Sequence, residues 1–427
     1  MTNIDVRIPS IAPDPELIED TSEWLMDQAL KDHDIHTMIE GCCNRLVAAG
    51  IPILRAFFGF SMIHPLYRAV GYTWMRGEGV TVNKYLHQPD GSQPEGWTNS
   101  PFGRMSQDQV NWLRRPINRD TISEFPIFPD LLKVGAVDYY AFMVPFQDAE
   151  QDDMRGMAGS WTTDRPGGFS SDEILALKKV QRRLAVACKM AVRTKLATIV
   201  MKTYLGSQAG TRVLNGQIRR GDGETIRAAI WYADMRGSTR LADLLSRQEY
   251  IDTLNEYFDM VATEVIAQGG EVLSFIGDAV LAIFTMDDDK DGKAGGKAAL
   301  KAALKARMRL AENNERRAAE GRSPLDCVIG LHYGDVMFGN VGVPDRLTFS
   351  VFGAAVNEVA RLEQLCKALN EPVLASGEFR RIFDGYWRPV GEHQLHGFVN
   401  AIDVFAPDLN ICTRSFNMAE TPVMDEA

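Results

Sequence analysis

Two aspartates in the C-terminal half of the chain each follow a short apolar run. Asp234 ends the run TIRAAIWYAD, and Asp278 lies in the Gly-Asp pair between the runs Glu271–Ile276 and Ala279–Phe284. Two apolar runs joined by Gly-Asp predict a β-hairpin with Asp278 at its tip. If this hairpin lies beside the strand that ends at Asp234, the two carboxylates converge on a site for a hard divalent cation. Taken singly, each aspartate is more simply explained as a turn residue.

A second pair of polar residues lies further along the chain. Asn357 and Arg361 are four positions apart in a predicted helix, Ala354–Leu369, and therefore share one helix face. An amide and a guanidinium aimed at one point suit a phosphoryl or ribose-bearing ligand, because Arg can hold negative charge that develops on oxygen. The simpler alternative is an Asn–Arg pair on a solvated helix face.

The elements that must position these residues form one block, from Glu224 to about Pro407. A helix with a Ser246/Glu249 capping box follows the first strand, and a second helix, Lys297–Ala319, follows the hairpin. The next apolar runs, 325–333 and 336–341, predict a second hairpin that turns at Gly334-Asp335.

Four stretches of this block, in order, resemble the catalytic domain of class III adenylate and guanylate cyclases. They lie between Ala228 and Glu363 and read AAIWYADMRGSTRLADLL, GGEVLSFIGDAVLAIF, VIGLHYGDVMFGNVG and LTFSVFGAAVNEVARLE. The resemblance implies an α/β fold of the ferredoxin-like (α+β) type. It also implies a homodimer whose active sites are shared between the subunits.

The resemblance assigns a role to each of these polar residues. Asp234 and Asp278, with the backbone carbonyl of Met235, would hold two divalent cations, Mg²⁺ or Mn²⁺. Asn357 and Arg361 would come from the partner subunit to orient the ribose and stabilise the transition state. The expected reaction is attack of the ribose 3′-hydroxyl on the α-phosphate of ATP, which forms cyclic AMP and pyrophosphate.

The residues that would recognise the base depart from the family pattern. Ser274 stands where adenylate cyclases have a Lys that donates to adenine N1, and Ser350 stands where an Asp or Thr engages the exocyclic amine. The hydroxyl of Ser350 can still accept from an amine. The other substrate-binding residues that the resemblance suggests are Phe275, Gly277, Arg346 and His396; for the last two, a surface side chain without a role is the simpler alternative.

The loss of that Lys leaves three interpretations open. The enzyme uses ATP with another donor or a water, it uses GTP or a pyrimidine triphosphate, or the domain binds a nucleotide without turnover as a sensor or scaffold. The presence of all four residues of the two pairs argues against the last.

The N-terminal half is predicted to be regulatory. Residues 1–50 are expected to form a tail and helix, and residues 51–171 a mixed α/β domain that loosely resembles a GAF-type sensory domain. Residues 172–223 are predicted to form a long signalling helix and a linker to the cyclase domain, 224–407, and residues 408–427 a flexible tail. The signal that this half would read is a small molecule or protein that the sequence does not identify.

Composition restricts the remaining function classes. A formal net charge of −11 argues against a nucleic-acid binder, which needs a basic surface. The chain has no basic and apolar leader and no uninterrupted apolar stretch of about 18 residues. Its six scattered cysteines, without a CxxC pair, suggest reduced thiols. These features predict a soluble, cytoplasmic protein without membrane insertion.

Overall fold

The computed structural model describes residues 12–31, 34–61, 67–88, 92–146, 156–285, 292–383, 385–398 and 400–408. Residues 1–11 of the predicted N-terminal tail and helix, and residues 409–427 of the predicted C-terminal tail, lie outside the described residues. The chain divides into two compact units, Met1–Val200 and Met201–Ala427. The domain boundaries expected from the sequence differ from this division and stay predictions.

The first unit is built around a six-stranded antiparallel sheet, in the order β3-β2-β1-β6-β5-β4. Its strands are β1 Arg55–Ser61, β2 Tyr67–Met75, β3 Gly79–Leu86, β4 Trp112–Pro116, β5 Asp138–Pro145 and β6 Gly156–Thr163. Its helices are α1 Pro15–Leu30, α2 Ile35–Ala48, α3 Glu95–Thr98, α4 Pro101–Gln107 and α5 Phe128–Lys133, followed by α6 Ser171–Leu205. The GAF-type assignment of this unit stays a prediction.

The long helix expected after residue 171 is present as α6. Its start is fixed by a capping box, in which Ser170 Oγ accepts from the Glu173 N–H and Glu173 Oε2 accepts from the Ser170 N–H. The same carboxylate is fully buried and receives both guanidinium N–H groups of Arg165 at 2.6 Å. A buried charge needs such a partner, so this ion pair fixes the position of the N-terminus of α6.

The second unit contains the remaining elements. They are α7 Ser207–Leu214, β7 Gly223–Met235, α8 Ser238–Leu244, α9 Arg247–Ala267, β8 Glu271–Ile276, β9 Ala279–Phe284, α10 Lys293–Ala319, β10 Cys327–Val343, β11 Arg346–Phe352, α11 Ala354–Leu369, β12 Val373–Ser376, α12 Gly377–Ile382, β13 Trp387–His393 and β14 Ile402–Pro407. The sheet order is β13-β14-β12-β10-β7-β9-β8, and β11 pairs with β10 outside this path.

Four strands and two helices at the centre of this unit form a ferredoxin-like motif. In chain order they run β7, α9, β8, β9, α10, β10, and in the sheet the strands lie β10-β7-β9-β8. Trp231, Phe284 and Ile329 are buried where α9 and α10 pack on one face of the sheet. The predicted fold of this domain is therefore confirmed.

The second predicted hairpin is wrong. β10 continues without a turn through Gly334 and Asp335 and pairs with β7 from Cys327 to Gly339. Gly334 has another role: a Cβ there would lie 2.9 Å from the Cβ of Ala355 on α11. The glycine therefore marks a close approach of helix to strand, which a sequence pattern cannot distinguish from a turn.

The predicted linker also contains structure. Residues 207–214, within the range 172–223 predicted as signalling helix and linker, form α7, and Ala209 on it is fully buried beside Ile230 and Phe338. Its N-terminal backbone donates to the Glu271 carboxylate, from Gln208 N at 2.7 Å and Ala209 N at 3.1 Å. The sequence alone does not predict α7, because two glycines lie beside it and no local pattern shows which residues cover its apolar face.

Within the described ranges, no helix combines the length and the apolar character that crossing a bilayer requires.

We predict that Gly330→Ala destabilises the second unit. A Cβ at residue 330 of β10 would lie 2.8 Å from the Val359 carbonyl oxygen on α11, and backbone cannot rotate away as a side chain can. Overpacking of this kind costs about 1–3 kcal/mol of the free energy of unfolding. Chemical denaturation of the full chain measures it. Gly96→Ala is the control, because a Cβ there meets nothing within 4 Å, and equal stability of the two variants would contradict the prediction.

Candidate active site

The structure brings Asp234 and Asp278 together. Antiparallel pairing of β7 with β9 sets Ala233 opposite Val280, so Asp234 lies beside the two-residue turn that joins β8 to β9. Gly277 gives this turn its positive φ of 65° and leaves Asp278 at the tip, as the sequence predicts. The two carboxyl groups lie close enough that each is among the causes of the shift in the other's pKa. Their convergence is the geometry that a divalent cation site requires.

The environment of the two carboxyl groups differs. Burial, together with the hydrogen bond from Asp278, raises the pKa of Asp234 to about 6. Burial also acts to raise the pKa of Asp278, but hydrogen bonds with Asp234 and Ser238 outweigh it and hold that pKa below its usual value. Two carboxyl groups this close resist ionising together, because the negative charge of one disfavours that of the other. A cation between them would relieve this repulsion.

The site fits a cation by one further observation. Asp234 Oδ1 is buried and has no hydrogen-bond partner among the described residues. A buried oxygen without a partner is costly, and a metal ion would satisfy it. Met235 lies at the end of β7 with its side chain buried in the core, which fixes the backbone that carries its carbonyl. The role of that carbonyl as a ligand stays a prediction.

A lysine at this site was missed by sequence reasoning. The Lys367 ammonium near the end of α11 forms an ion pair with Asp234 Oδ2 and lies 2.9 Å from Glu363 Oε1. Glu363 is an acidic residue at a buried position of α11, with a side chain only 5% exposed. The spacing of Glu363 and Lys367, four positions apart, predicts the ion pair between these two residues, but no local pattern predicts the contact with Asp234, 133 positions away.

Asn357 and Arg361 lie elsewhere along the same helix. Lys367 contacts Asp234, whereas Arg361 lies six residues and Asn357 ten residues earlier, roughly 9 and 15 Å along the helix axis at 1.5 Å per residue. Asn357 is exposed, and Arg361 donates to Gln364 Oε1 at 2.8 Å. Within one chain the two aspartates thus lie together, and the contact that reaches them from α11 comes from Lys367.

The predicted base-recognition residues lie on two different strands. Ser274 is half-buried on β8, at a bulge in its pairing with β9. Ser350 is buried on β11, opposite Gly339 of β10. Phe275 follows Ser274, is 53% exposed and packs its ring 4.5 Å from that of Phe258.

The two basic candidates for the triphosphate are exposed. Arg346 is the first residue of β11, opposite Val343, and His396 lies in a turn after β13. No contact connects either side chain to the aspartate pair among the described residues, so their roles stay predictions.

Comparison with known proteins agrees with this geometry. Residues 223–382 match the model of the adenylate and guanylate cyclase catalytic domain. This segment belongs to that family.

Two curated relatives share the cyclase segment. Adenylate cyclase 1 of Rhizobium meliloti is 30% identical over 176 residues, which are 41% of this chain and 26% of the relative. The adenylate cyclase of Anabaena cylindrica is 33% identical over 206 residues, which are 46% of this chain and 39% of the relative. The chain thus spans between about a quarter and two fifths of the length of these relatives.

Among solved structures, the adenylyl cyclase CyaB from P. aeruginosa is similar at 25% identity and a TM-score of 0.39. The similarity covers 43% of this chain and 94% of that one.

We predict that Lys367→Gln increases the affinity of the nucleotide-free protein for Mn²⁺. The Lys367 ammonium pairs with a proposed metal ligand, so a cation must displace it. Removal of a partly exposed ion-pair partner is expected to tighten binding roughly 3- to 10-fold. Isothermal titration calorimetry of the full chain measures the change.

Lys297→Gln is the matched control, because it removes the same charge from an exposed position on α10. Unchanged or weaker Mn²⁺ binding in Lys367→Gln would contradict competition between the ammonium and the metal.

Proposed function

We propose that the protein is a nucleotidyl cyclase that converts ATP to 3′,5′-cyclic AMP and pyrophosphate. The observation that carries the proposal is the convergence of Asp234 and Asp278, with one buried and unsatisfied carboxylate oxygen, inside a segment of the cyclase family. Two carboxylates at one point form the oxygen-rich ligand set that Mg²⁺ and Mn²⁺ prefer.

Each group of the site has a proposed task in the reaction. Asp234 and Asp278 would hold two divalent cations, which supply charge neutralisation for the triphosphate and a lowered pKa for the ribose 3′-hydroxyl. Asn357 orients the ribose, so that the hydroxyl oxygen faces the α-phosphorus in line with the leaving pyrophosphate. Arg361 donates to the phosphoryl oxygens, on which negative charge develops in the transition state.

A homodimer completes this site. The distance of roughly 9–15 Å along α11 between the Asn–Arg pair and the contact of Lys367 with Asp234 argues against one chain supplying all four residues. The second unit also exposes apolar side chains on β10, where Met337, Val341 and Val343 are 47%, 47% and 59% exposed. A second copy would cover such a surface and bring its own α11 to the aspartates.

We expect Asp234→Ala and Arg361→Ala each to abolish cyclase activity, and a mixture of the two variants to recover part of it. In a mixed dimer one site carries both substitutions and the other carries neither. Random assembly of equal amounts gives mixed dimers in half of the population, so the recovered activity is about a quarter of wild type.

Pyrophosphate release from variants unfolded and refolded together measures the recovery. Refolded wild type is the control for losses during mixing. Activity no higher in the mixture than in the separate variants would overturn the shared site.

ATP is the proposed substrate, although Ser274 stands where adenylate cyclases have a Lys. The Ser350 hydroxyl can accept from the exocyclic amine of adenine, and the two curated relatives named above are adenylate cyclases. Ser274 is too short to donate to adenine N1 as a Lys does, so another donor or a water would replace it. GTP or a pyrimidine triphosphate is the alternative substrate, and a nucleotide-binding sensor without turnover is the alternative function.

Mass spectrometry of the products tests this choice. The full chain is incubated separately with ATP, GTP, CTP and UTP, each with Mg²⁺ and with Mn²⁺, and cyclic AMP is expected as the dominant product. Ser274→Lys supplies the donor that the family uses for adenine and is expected to increase the preference for ATP. Another dominant cyclic nucleotide would overturn the base choice, and nucleotide binding without any product would favour the sensor.

The first unit is proposed to regulate the second. The division between the two units falls within α6. A conformational change in the first unit would therefore reach the cyclase segment through this helix. A small molecule or protein would act as the signal. The proposal includes a cytoplasmic location, where nucleoside triphosphates are abundant.

A further inference from the structure

A second cluster of possible metal ligands lies in the cyclase segment, apart from the aspartate pair. His332 on β10, Glu358 on α11 and Glu378 on α12 each offer one ligand atom, and these atoms all lie within 4.8 Å of one another. Three elements that are distant in sequence thus meet at one imidazole and two carboxylates.

The imidazole of His332 is held in a fixed orientation. His332 is 4% exposed, and its Nδ1 lies 2.9 Å from Ser376 Oγ and 3.2 Å from Glu358 Oε1. The Ser376 hydroxyl in turn accepts from the Phe379 N–H at 3.2 Å, at the start of α12. The nitrogen that faces both the hydroxyl and the carboxylate is therefore positioned by the fold.

Glu358 has an unsatisfied oxygen at the same point. Its Oε1 is buried and, despite the proximity of His332 Nδ1, accepts no hydrogen bond within the described part of the chain. No Lys or Arg forms an ion pair with Glu358 there either, whereas Glu378 has Arg381 at 3.2 Å. A carboxylate buried without a cation is unfavourable, and something positive would stabilise it.

Burial shifts the pKa of both neighbouring groups toward their neutral forms. Burial, reinforced by the negative charge of Glu378, raises the pKa of Glu358 to about 7. Burial lowers the pKa of His332 to about 4, so its imidazole is neutral at physiological pH and has a lone pair to offer. The histidine therefore supplies no positive charge to its acidic neighbour.

We propose that His332, Glu358 and Glu378 bind a divalent transition-metal cation of the Zn²⁺ type, which connects α11 to β10 and α12. One imidazole nitrogen with two carboxylate oxygens is a ligand set that Zn²⁺ accepts at 2.0–2.2 Å, with a fourth position for water or the Ser376 hydroxyl. Ligand atoms around such an ion are about 3.3 Å apart, and rotation of the two glutamate side chains can bring the cluster to that spacing.

This site is distinct from the proposed catalytic one. On β10, His332 lies opposite Ile230, whereas the residue opposite Asp234 is Val328. Four residues along an extended strand correspond to about 13 Å. The cation proposed here has a structural role and does not depend on turnover by the domain.

Zinc binding by the full chain tests the proposal. Asp278→Asn serves as the background, since it removes one carboxylate of the candidate catalytic site. Calorimetric titration with ZnCl₂ at pH 7.5 is expected to show one Zn²⁺ per chain. Glu358→Gln and Glu378→Gln are each expected to weaken the binding at least about tenfold, and Zn²⁺ should raise the unfolding temperature of the background protein but not of these variants.

The variants keep the shape of the side chains they replace, so loss of binding is not loss of folding. Circular dichroism without metal checks this directly. Glu315→Gln is the matched control, because it removes the same charge from an exposed position on α10. Absence of Zn²⁺ binding in the background protein, or equal affinity in Glu358→Gln and Glu315→Gln, would overturn the proposal. No nucleotide is present, so neither result depends on cyclase activity.

Discussion

The antiparallel pairing of β7 with β10 is the constraint on which the second unit depends. The ladder runs from Met235 opposite Cys327 to Gly223 opposite Gly339, so one alignment fixes the position of every side chain on both strands. It fixes the position of Asp234 along the sheet, and the pairing of β7 with β9 places Asp278 beside Asp234. A shift of one residue would turn Asp234 to the opposite face of the sheet and remove the carboxylate pair.

The close packing of α11 depends on the same alignment. Gly330 and Gly334 lie on one face of β10, and a Cβ at either would come within 3.0 Å of α11. Without these side chains the helix approaches the strand closely, and Lys367 reaches Asp234. The positive charge of Lys367 thus partly offsets the negative charge of the carboxylate pair. The two glycines determine how closely α11, which carries Lys367, approaches β10.

Local signals predicted the elements that local chemistry determines. The Ser246/Glu249 capping box is present at α9, the helix Ala354–Leu369 has the expected bounds, and Asp278 is at its turn. Tertiary contacts determine what was missed. Gly334 looks like a turn until α11 packs on it, α7 is stabilised by Glu271 more than 60 residues later, and Lys367 meets Asp234 across 133 positions. No pattern within a short window carries such information.

The helical period turns neighbouring residues of one short helix, α11, toward different surroundings. Successive residues of α11 are about 100° apart, so Asn357 is exposed while the adjacent Glu358 turns toward His332 and Val359 is fully buried. About two and a half turns after Glu358, Lys367 contacts Asp234. A cation at Glu358 would hold the N-terminal half of the helix, as the Lys367 ion pair holds its C-terminal half. Because Asn357 and Arg361 lie between or beside these two attachments, their orientation toward a partner subunit would be set by both.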